Sequence, residues 1–360
     1  MDVRPHRLAG FLPRLGPNWF AAVMSTGIVA NAAILLPGAS PVLDGFALVL
    51  WTLAGLLLAV LLGATLAQGY YQPHHTRRHR DNPTMMPFYG TLPMAMLVVG
   101  SGALIVAQDL LGPTAALAVS ATLWTVGTAL GVCCALIVPY VMRTRHGLTM
   151  ADAGCTWVLP VVPPLVSAAT GASLVGHLHH GPARTALLLA CYLLLSLSLA
   201  ATMTVIPTVW RRMVVHSSLP PTQAIPTLWN VLGPFGQSIT ALFLLGDVAR
   251  GTLGARWGDA LQTVALVYGI PALIVALGWM GVAAVVTVRT MRDHLPFTLA
   301  WWSFVFPLGT VVVGTSLLAG HTDAAALRWL AFALAGLLVG LWTVVASRSM
   351  LRTRHVVLTR

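Results

Sequence analysis

Ten long apolar runs divide this chain, and they restrict its possible folds more than any other feature. Each run has about 20–30 residues, enough for a helix to cross the ~30 Å hydrocarbon core of a bilayer. Transmembrane β-barrel strands are only ~10 residues long and alternate polar with apolar side chains, a pattern that these runs lack. The predicted spans are 17–37, 42–67, 87–107, 114–142, 153–175, 184–208, 224–246, 259–288, 297–319 and 324–347.

The composition also indicates a membrane protein. Hydrophobic residues make up 57% of the chain and charged residues only 8%, against roughly 25% charged residues in soluble domains. We therefore expect residues 1–360 to form a single transmembrane domain in the lipid bilayer. The formal net charge of +11 does not predict nucleic-acid binding, because the arginines lie between the apolar runs.

The arginines predict the orientation of the spans. Sixteen of the 20 basic residues lie at the termini or in loops on one side of the predicted spans. The opposite loops contain only Arg184, Arg250, Arg256 and Arg328. Because cytoplasmic loops are enriched in basic residues, both termini are predicted to lie in the cytoplasm, as in a multi-pass protein of the cytoplasmic membrane. Termini on the same side require an even number of spans, which agrees with ten.

A helix-breaking residue recurs in the odd-numbered spans. Pro93, Pro160, Pro234 and Pro307 lie near the middles of spans 3, 5, 7 and 9, and Gly27 has the matching place in span 1. Their spacing of 66–74 residues indicates a two-span unit that is repeated five times. Broken helices at membrane depth occur where they are buried in protein or line a cavity. The repeat therefore predicts an all-α polytopic fold of five parallel helical hairpins, with odd helices inside and even helices outside.

Ionisable side chains are missing from the middles of the predicted spans. The 12 histidines and nine aspartates lie in tails, loops or span ends, so no haem ligand or other cofactor site is predicted, nor a proton-coupling carboxylate. The four cysteines form no C-x-x-C pair, and no metal site is predicted. No nucleophile clusters with a base and an orienting group, so the chain is not predicted to be an enzyme.

The odd spans instead carry hydroxyls, amides and their breaker residues. Neutral donors can replace part of the hydration of an anion without holding it tightly, which suits conduction. The alternative is that these hydroxyls satisfy carbonyls of their own helices. The predicted pore-lining residues are Ser25, Thr26, Gly27, Thr91, Pro93, Thr156, Pro160, Pro234, Gln237, Ser238 and Pro307.

Four odd-span segments resemble the tellurite-resistance/dicarboxylate transporter family. They are Pro17–Ile28 (PNWFAAVMSTGI), Phe88–Met94 (FYGTLPM), Gly233–Ser238 (GPFGQS) and Trp301–Leu308 (WWSFVFPL). This family includes the bacterial tellurite-resistance membrane protein, the fungal malate permease, the fungal sulfite exporter and the plant slow-type guard-cell anion channel. The resemblance extends over nearly the whole chain.

The resemblance implies ten helices around a central pore, usually in a homotrimer with one pore per subunit. It also implies a phenylalanine of span 9 as the pore gate, either Phe306 or Phe304 here. The predicted function is an anion channel or facilitative anion transporter for sulfite-like oxyanions or C4-dicarboxylates such as malate. A proton-coupled secondary carrier for C4-dicarboxylates and a tellurite-resistance-type exporter are the alternatives.

Overall fold

Helices form all of the regular structure that this computed structural model describes. The described residues are 15–38, 40–215 and 219–358, and they contain no β-strand. Nine of their helical segments are long and apolar enough to cross a membrane. The predicted all-helical membrane protein is therefore confirmed at this level. The predicted first span corresponds to a 3₁₀ turn at Pro17–Trp19 and a 15-residue helix, which are not among those nine segments.

Apart from the connecting helices Pro73–Arg80 and Gln108–Leu111, short and long helices alternate along the chain. The short helices are α1 (Phe20–Ile34), α3 (Thr91–Ile105), α5 (Pro163–His177), α7 (Leu232–Leu253) and α9 (Val305–Thr322). The long helices are α2 (Pro41–Tyr71), α4 (Pro113–Thr144), α6 (Pro182–Val215), α8 (Ala255–Arg292) and α10 (Ala325–Leu358). The long helices have 31 to 38 residues, more than a perpendicular crossing of the bilayer requires.

Burial separates the two classes of helix. In the spans that contain α3, α5, α7 and α9, 78–89% of the residues of the most apolar window are buried. In the five long helices the corresponding share is only 17–33%. Apolar side chains such as Leu193, Val267 and Ile274 project outward from α6 and α8, with 65–71% of their surface exposed. A surface of this kind suits lipid rather than water.

The five short helices contact one another in a closed ring. Each of α1, α3, α5 and α7 packs against the next short helix, and α9 packs back against α1. The amide of Asn31 donates to the carbonyl of Val98 between α1 and α3 (3.3 Å). The hydroxyl of Ser25 donates to the carbonyl of Trp302 (3.2 Å), which closes the ring between the first and last short segments. Each short helix also packs against the long helix that follows it.

Helices α7 and α9 approach each other most closely at a glycine. A Cβ atom at Gly236 would lie 2.4 Å from both the carbonyl carbon of Thr310 and the amide nitrogen of Val311. Only a residue without a side chain allows this backbone-to-backbone contact.

The recurring prolines do not kink the short helices, contrary to our expectation from the repeat. Pro93, Pro234 and Pro307 are each the third residue of an α-helix, directly after a 3₁₀ segment. Pro160 lies between the 3₁₀ turn Cys155–Val158 and the start of α5. In the first turn of a helix the N–H has no intrahelical partner, so proline sacrifices no hydrogen bond there. These prolines therefore mark the change from 3₁₀ to α geometry.

Candidate functional site

A cavity of about 70 Å³ lies where the five short helices meet. All five short helices contribute to its lining, so it lies on the axis of the ring. The lining includes Ile28, Asn31, Val98, Ser101, Thr170, Ser173, Gln237, Thr240 and Val313. Within the described ranges of the chain, no charged side chain belongs to this lining. Among the described residues, no group of histidines, cysteines and acids has a geometry that could hold a metal ion.

Three polar side chains of the cavity are engaged with backbone carbonyls. The hydroxyl of Thr170 donates to the carbonyl of Val166 (2.8 Å), and that of Thr240 donates to Gly236 (2.9 Å). The amide of Asn31 donates to Val98 across the α1–α3 contact. The alternative that hydroxyls serve their own helices is therefore correct for the two threonines.

Three other polar side chains have free donors. Ser101, Ser173 and Gln237 line the cavity and have no side-chain hydrogen-bond partner within the described part of the chain. Ser101 is 8% exposed and Gln237 only 5% exposed, so neither is solvated by bulk water. Buried polar groups are normally paired. Their free N–H and O–H groups are available to a small ligand in the cavity.

Large apolar side chains lie below the cavity on the same helix faces. Met24 and Met94 are each four residues before a cavity residue, and Phe306 is seven residues before Val313. Spacings of four and seven keep side chains on one face of an α-helix. All three side chains are buried, with 1–2% exposure. A Cβ atom at Gly309 of α9 would contact the side chain of Ile28 on α1, so these two residues lie at the same height in the ring. Phe306 and Met24 each lie about one turn nearer the N terminus of their own helix, and they therefore also lie at a similar height. We call Met24, Met94 and Phe306 the apolar layer.

Phe304 has different surroundings. Its ring makes edge-to-face contacts with Trp229 (centroids 5.4 Å apart) and Trp301 (5.6 Å). It precedes Phe306 by two residues, a rotation of roughly 200° about the helix. The 3₁₀ segment Leu299–Phe304 thus packs Phe304 against aromatic neighbours, while Phe306 follows the face that leads to the cavity.

Of the predicted pore-lining residues, Gln237 lines the cavity. Its neighbour Ser238 faces away, because its hydroxyl lies 2.7 Å from the hydroxyl of Tyr268 on α8. Thr26 donates to the carbonyl of Ala22 and accepts a hydrogen bond from the indole of Trp342 on α10. These two hydroxyls therefore connect short helices to long ones.

The remaining predicted residues lie outside the cavity lining. The hydroxyl of Ser25 is bonded to Trp302, and Thr91 donates to the carbonyls of Pro17 and Phe88 (both 2.7 Å). Thr156 is half-buried in a 3₁₀ turn. The other five predicted residues are buried in or beside the short helices: Gly27, Pro93, Pro160, Pro234 and Pro307.

Sequence reasoning missed several cavity residues. Thr240 follows Gln237 by three residues, and Ser173 follows Thr170 by three, so each pair shares one helix face. This spacing is a signal that could have identified them. Met24 and Met94 gave no such signal, because methionine is common throughout apolar helices.

Comparisons with known proteins identify a family and several relatives of this chain. The sequence profile of the SLAC1 family, described as voltage-dependent anion channel, matches residues 14–350. A sulfite efflux pump of Arthroderma benhamiae is 26% identical over 306 residues, which cover 83% of this chain and 80% of that protein. An uncharacterized transporter of Methanocaldococcus jannaschii is 25% identical over 332 residues, covering 91% of this chain and 90% of the relative.

Proposed function

The chain belongs to the SLAC1 family of voltage-dependent anion channels, and from this premise we propose that it conducts sulfite-like oxyanions through the ring of short helices. It is thus an anion channel or facilitative transporter with a pore along the ring axis. The observation that carries the proposal is the cavity on that axis, whose described lining residues include neutral donors and no charged side chain. Weak binding of this kind allows an anion to enter and also to leave.

The proposed architecture has ten membrane-crossing helices, with the five short ones inside and the five long ones outside. Its support is the closed set of contacts among the short helices and the contrast in burial. Helix α1 completes the ring between α9 and α3, although it is not among the nine segments long and apolar enough to span on their own. In this arrangement α1 and its 3₁₀ turn cross the membrane inside a sheath of other helices.

The size of the cavity favours a small oxyanion. A water molecule needs about 10–15 Å³ of comparable volume, so about 70 Å³ accommodates roughly five non-hydrogen atoms. Sulfite has four such atoms, whereas malate has nine. A sulfite efflux pump is also among the relatives of this chain. We therefore place sulfite-like oxyanions ahead of C4-dicarboxylates and tellurite as substrates.

The apolar layer is the proposed gate, with Phe306 as its largest member. A bulky apolar ring blocks a narrow pore by filling it and by excluding the water that an anion carries. The position of Phe306 on the cavity-facing side of α9 supports it over Phe304, which packs against Trp229 and Trp301.

The proposed setting is the cytoplasmic membrane, with both termini in the cytoplasm and three subunits each forming a pore. The distribution of arginines supports the orientation, and the family resemblance supports the homotrimer. A membrane potential supplies about 2.3 kcal/mol per charge per 100 mV. In a cell with a negative interior, this potential drives anions outward.

Electrical recording from the purified protein in planar bilayers tests the function. Sulfite, malate, nitrate and chloride are compared in turn, under gradients of anion and of protons. We expect sulfite currents that reverse at the sulfite equilibrium potential and are larger than malate currents. Reversal that follows the proton gradient would favour the proton-coupled carrier, and larger malate currents would contradict the assignment of substrate.

A further inference from the structure

Helix α7 and the 3₁₀ segment before it carry two amides that the proposed gate does not use. Asn230 lies in the 3₁₀ segment Thr222–Val231, and Gln237 lies seven residues later. The first two of the seven steps from Asn230 to Gln237 have 3₁₀ geometry (about 120° each) and the other five have α geometry (about 100° each), which totals about two turns, so both side chains project from the same face. Because Gln237 faces the cavity on the ring axis, Asn230 faces the same axis closer to the N-terminal ends of the short helices.

Both amides have donors without protein partners. The side-chain nitrogen of Asn230 is buried and has no hydrogen-bond partner among the residues that the structure describes, and the residue is 2% exposed. Gln237 is 5% exposed and has no side-chain hydrogen bond within the described ranges. A buried donor without a partner costs about 1–3 kcal/mol. Two unpaired donors on one face of one segment, one fully buried and one opening onto the cavity, suit a ligand that supplies the acceptor.

The apolar layer lies between these two amides. The hydroxyl of Thr310 donates to the carbonyl of Gly233, and a Cβ at Gly233 would lie 3.9 Å from the Cβ of Pro307. Phe306 therefore lies at about the height of Gly233, after Asn230 and before Gln237 along the axis.

We infer that Asn230 and Gln237 are two oxyanion-binding stations, one on either side of the apolar layer. Resting on the proposed function, this inference assigns the residues that bind the anion on both sides of the gate. Above the layer, the free hydroxyls of Ser101 and Ser173 assist Gln237. An anion that leaves one station is received by a donor at the next, so its dehydration is compensated on both sides of Phe306. Neutral N–H and O–H donors suit a small oxyanion of low charge and release it readily.

Each amide has a matched control on its own segment. Ser238 follows Gln237 on α7 but faces α8, where its hydroxyl lies 2.7 Å from that of Tyr268. Thr227 lies in the same 3₁₀ segment as Asn230, is 4% exposed and donates to Ala224 (2.6 Å). The test variants are therefore Gln237→Met and Asn230→Leu, with Ser238→Ala and Thr227→Val as controls.

The experiment measures sulfite flux into proteoliposomes as a function of sulfite concentration. We expect Gln237→Met and Asn230→Leu each to raise the half-saturating sulfite concentration about tenfold, equivalent to about 1.4 kcal/mol for a hydrogen bond to a charged group. The two control variants should change the half-saturating concentration less than twofold. Unchanged half-saturation in both amide variants would overturn the inference. Absence of anion flux in the wild-type protein would instead overturn the proposed function.

Thermal unfolding in detergent, with and without sulfite, separates binding from a structural role. Asn230→Leu removes a buried unpaired donor, so its unfolding temperature without sulfite should equal or exceed that of the wild type. Sulfite should raise the unfolding temperature of the wild type. It should raise the unfolding temperature of the variant that combines Asn230→Leu with Gln237→Met much less. An Asn230→Leu protein that unfolds at a lower temperature or does not fold would mean that the amide is structural, which also overturns the inference.

Discussion

Replacement of Phe306 by alanine is the sharpest test of the proposed gate. Phe306 and Phe304 are equally buried, at 2% and 3% exposure, so burial alone predicts the same loss for both alanine variants, about 3–5 kcal/mol. Their surroundings differ, because only Phe304 has edge-to-face contacts with two tryptophans. Each such pair contributes about 0.5–1.5 kcal/mol beyond burial. Phe304→Ala should therefore destabilise the protein by about 1–3 kcal/mol more than Phe306→Ala.

The two variants should also differ in sulfite flux, and here Phe306→Ala should show the larger change. If the ring of Phe306 blocks the pore, its removal opens the apolar layer and raises sulfite flux at least tenfold, which corresponds to a barrier lower by about 1.4 kcal/mol. Phe304→Ala should leave flux per folded molecule within about twofold of wild type. Flux into proteoliposomes and thermal unfolding in detergent, followed by tryptophan fluorescence, provide both measurements.

Two results would refute this reasoning. A folded, monodisperse Phe306→Ala protein with unchanged or lower flux would remove Phe306 from the gate. Equal destabilisation by both alanine variants would show that the aromatic contacts of Phe304 do not distinguish the two positions.

Three further predictions follow from the same geometry. Gly236→Ala should lower the unfolding temperature and the yield of folded protein, because its Cβ would overlap the backbone of Thr310. Gly281→Ala on α8 should be neutral, because no atom lies within 4 Å of the added Cβ. Similar losses in both variants would contradict the close approach of α7 and α9. In a background without native cysteines, Gln237→Cys should react with a small water-soluble thiol reagent, and Ser238→Cys should not, because it faces the neighbouring long helix; equal labelling would mean that the axis is misplaced. A reporter that is active only outside the cell should be silent when fused to the C terminus, and activity there would overturn the predicted orientation.

The class of the fold was predictable from the sequence because transmembrane helices need little more than length and apolar content. The alternation of buried and exposed helices was predictable from the breaker residues of the odd spans, although Pro139, Pro207 and Pro271 also lie inside long helices. The structural role of the recurring prolines was not predictable from the sequence. A proline near the middle of an apolar run predicts a kink, whereas Pro93, Pro234 and Pro307 each lie in the first turn of an α-helix. The 3₁₀ segments before them carry no sequence mark distinct from an ordinary helical turn.

The faces of the inner helices were the least predictable feature. A helix that is buried on all sides has no polar stripe, so its sequence does not show which side faces the axis. Gln237 and Ser238 are adjacent polar residues on α7, but one lines the cavity and the other bonds to Tyr268. Only the three-dimensional contacts separate them. The same ambiguity applied to Phe304 and Phe306, where sequence left both as gate candidates.

The seam between α9 and α1 has a consequence for biosynthesis. The hydrogen bond from Ser25 to Trp302 joins residues 277 positions apart, and the one from Trp342 to Thr26 joins residues 316 apart. At ~5–20 residues per second, a ribosome needs roughly 15–60 s to synthesise the chain between the partners of the first of these bonds. During that interval α1 is already in the membrane, but its neighbour on one side has not yet been made. Until α9 is made, the hydroxyls and amides that later face the axis are exposed to lipid or to chaperones. A chain that terminates before α9 cannot close the ring of short helices, and we expect it to be a substrate for quality-control proteases.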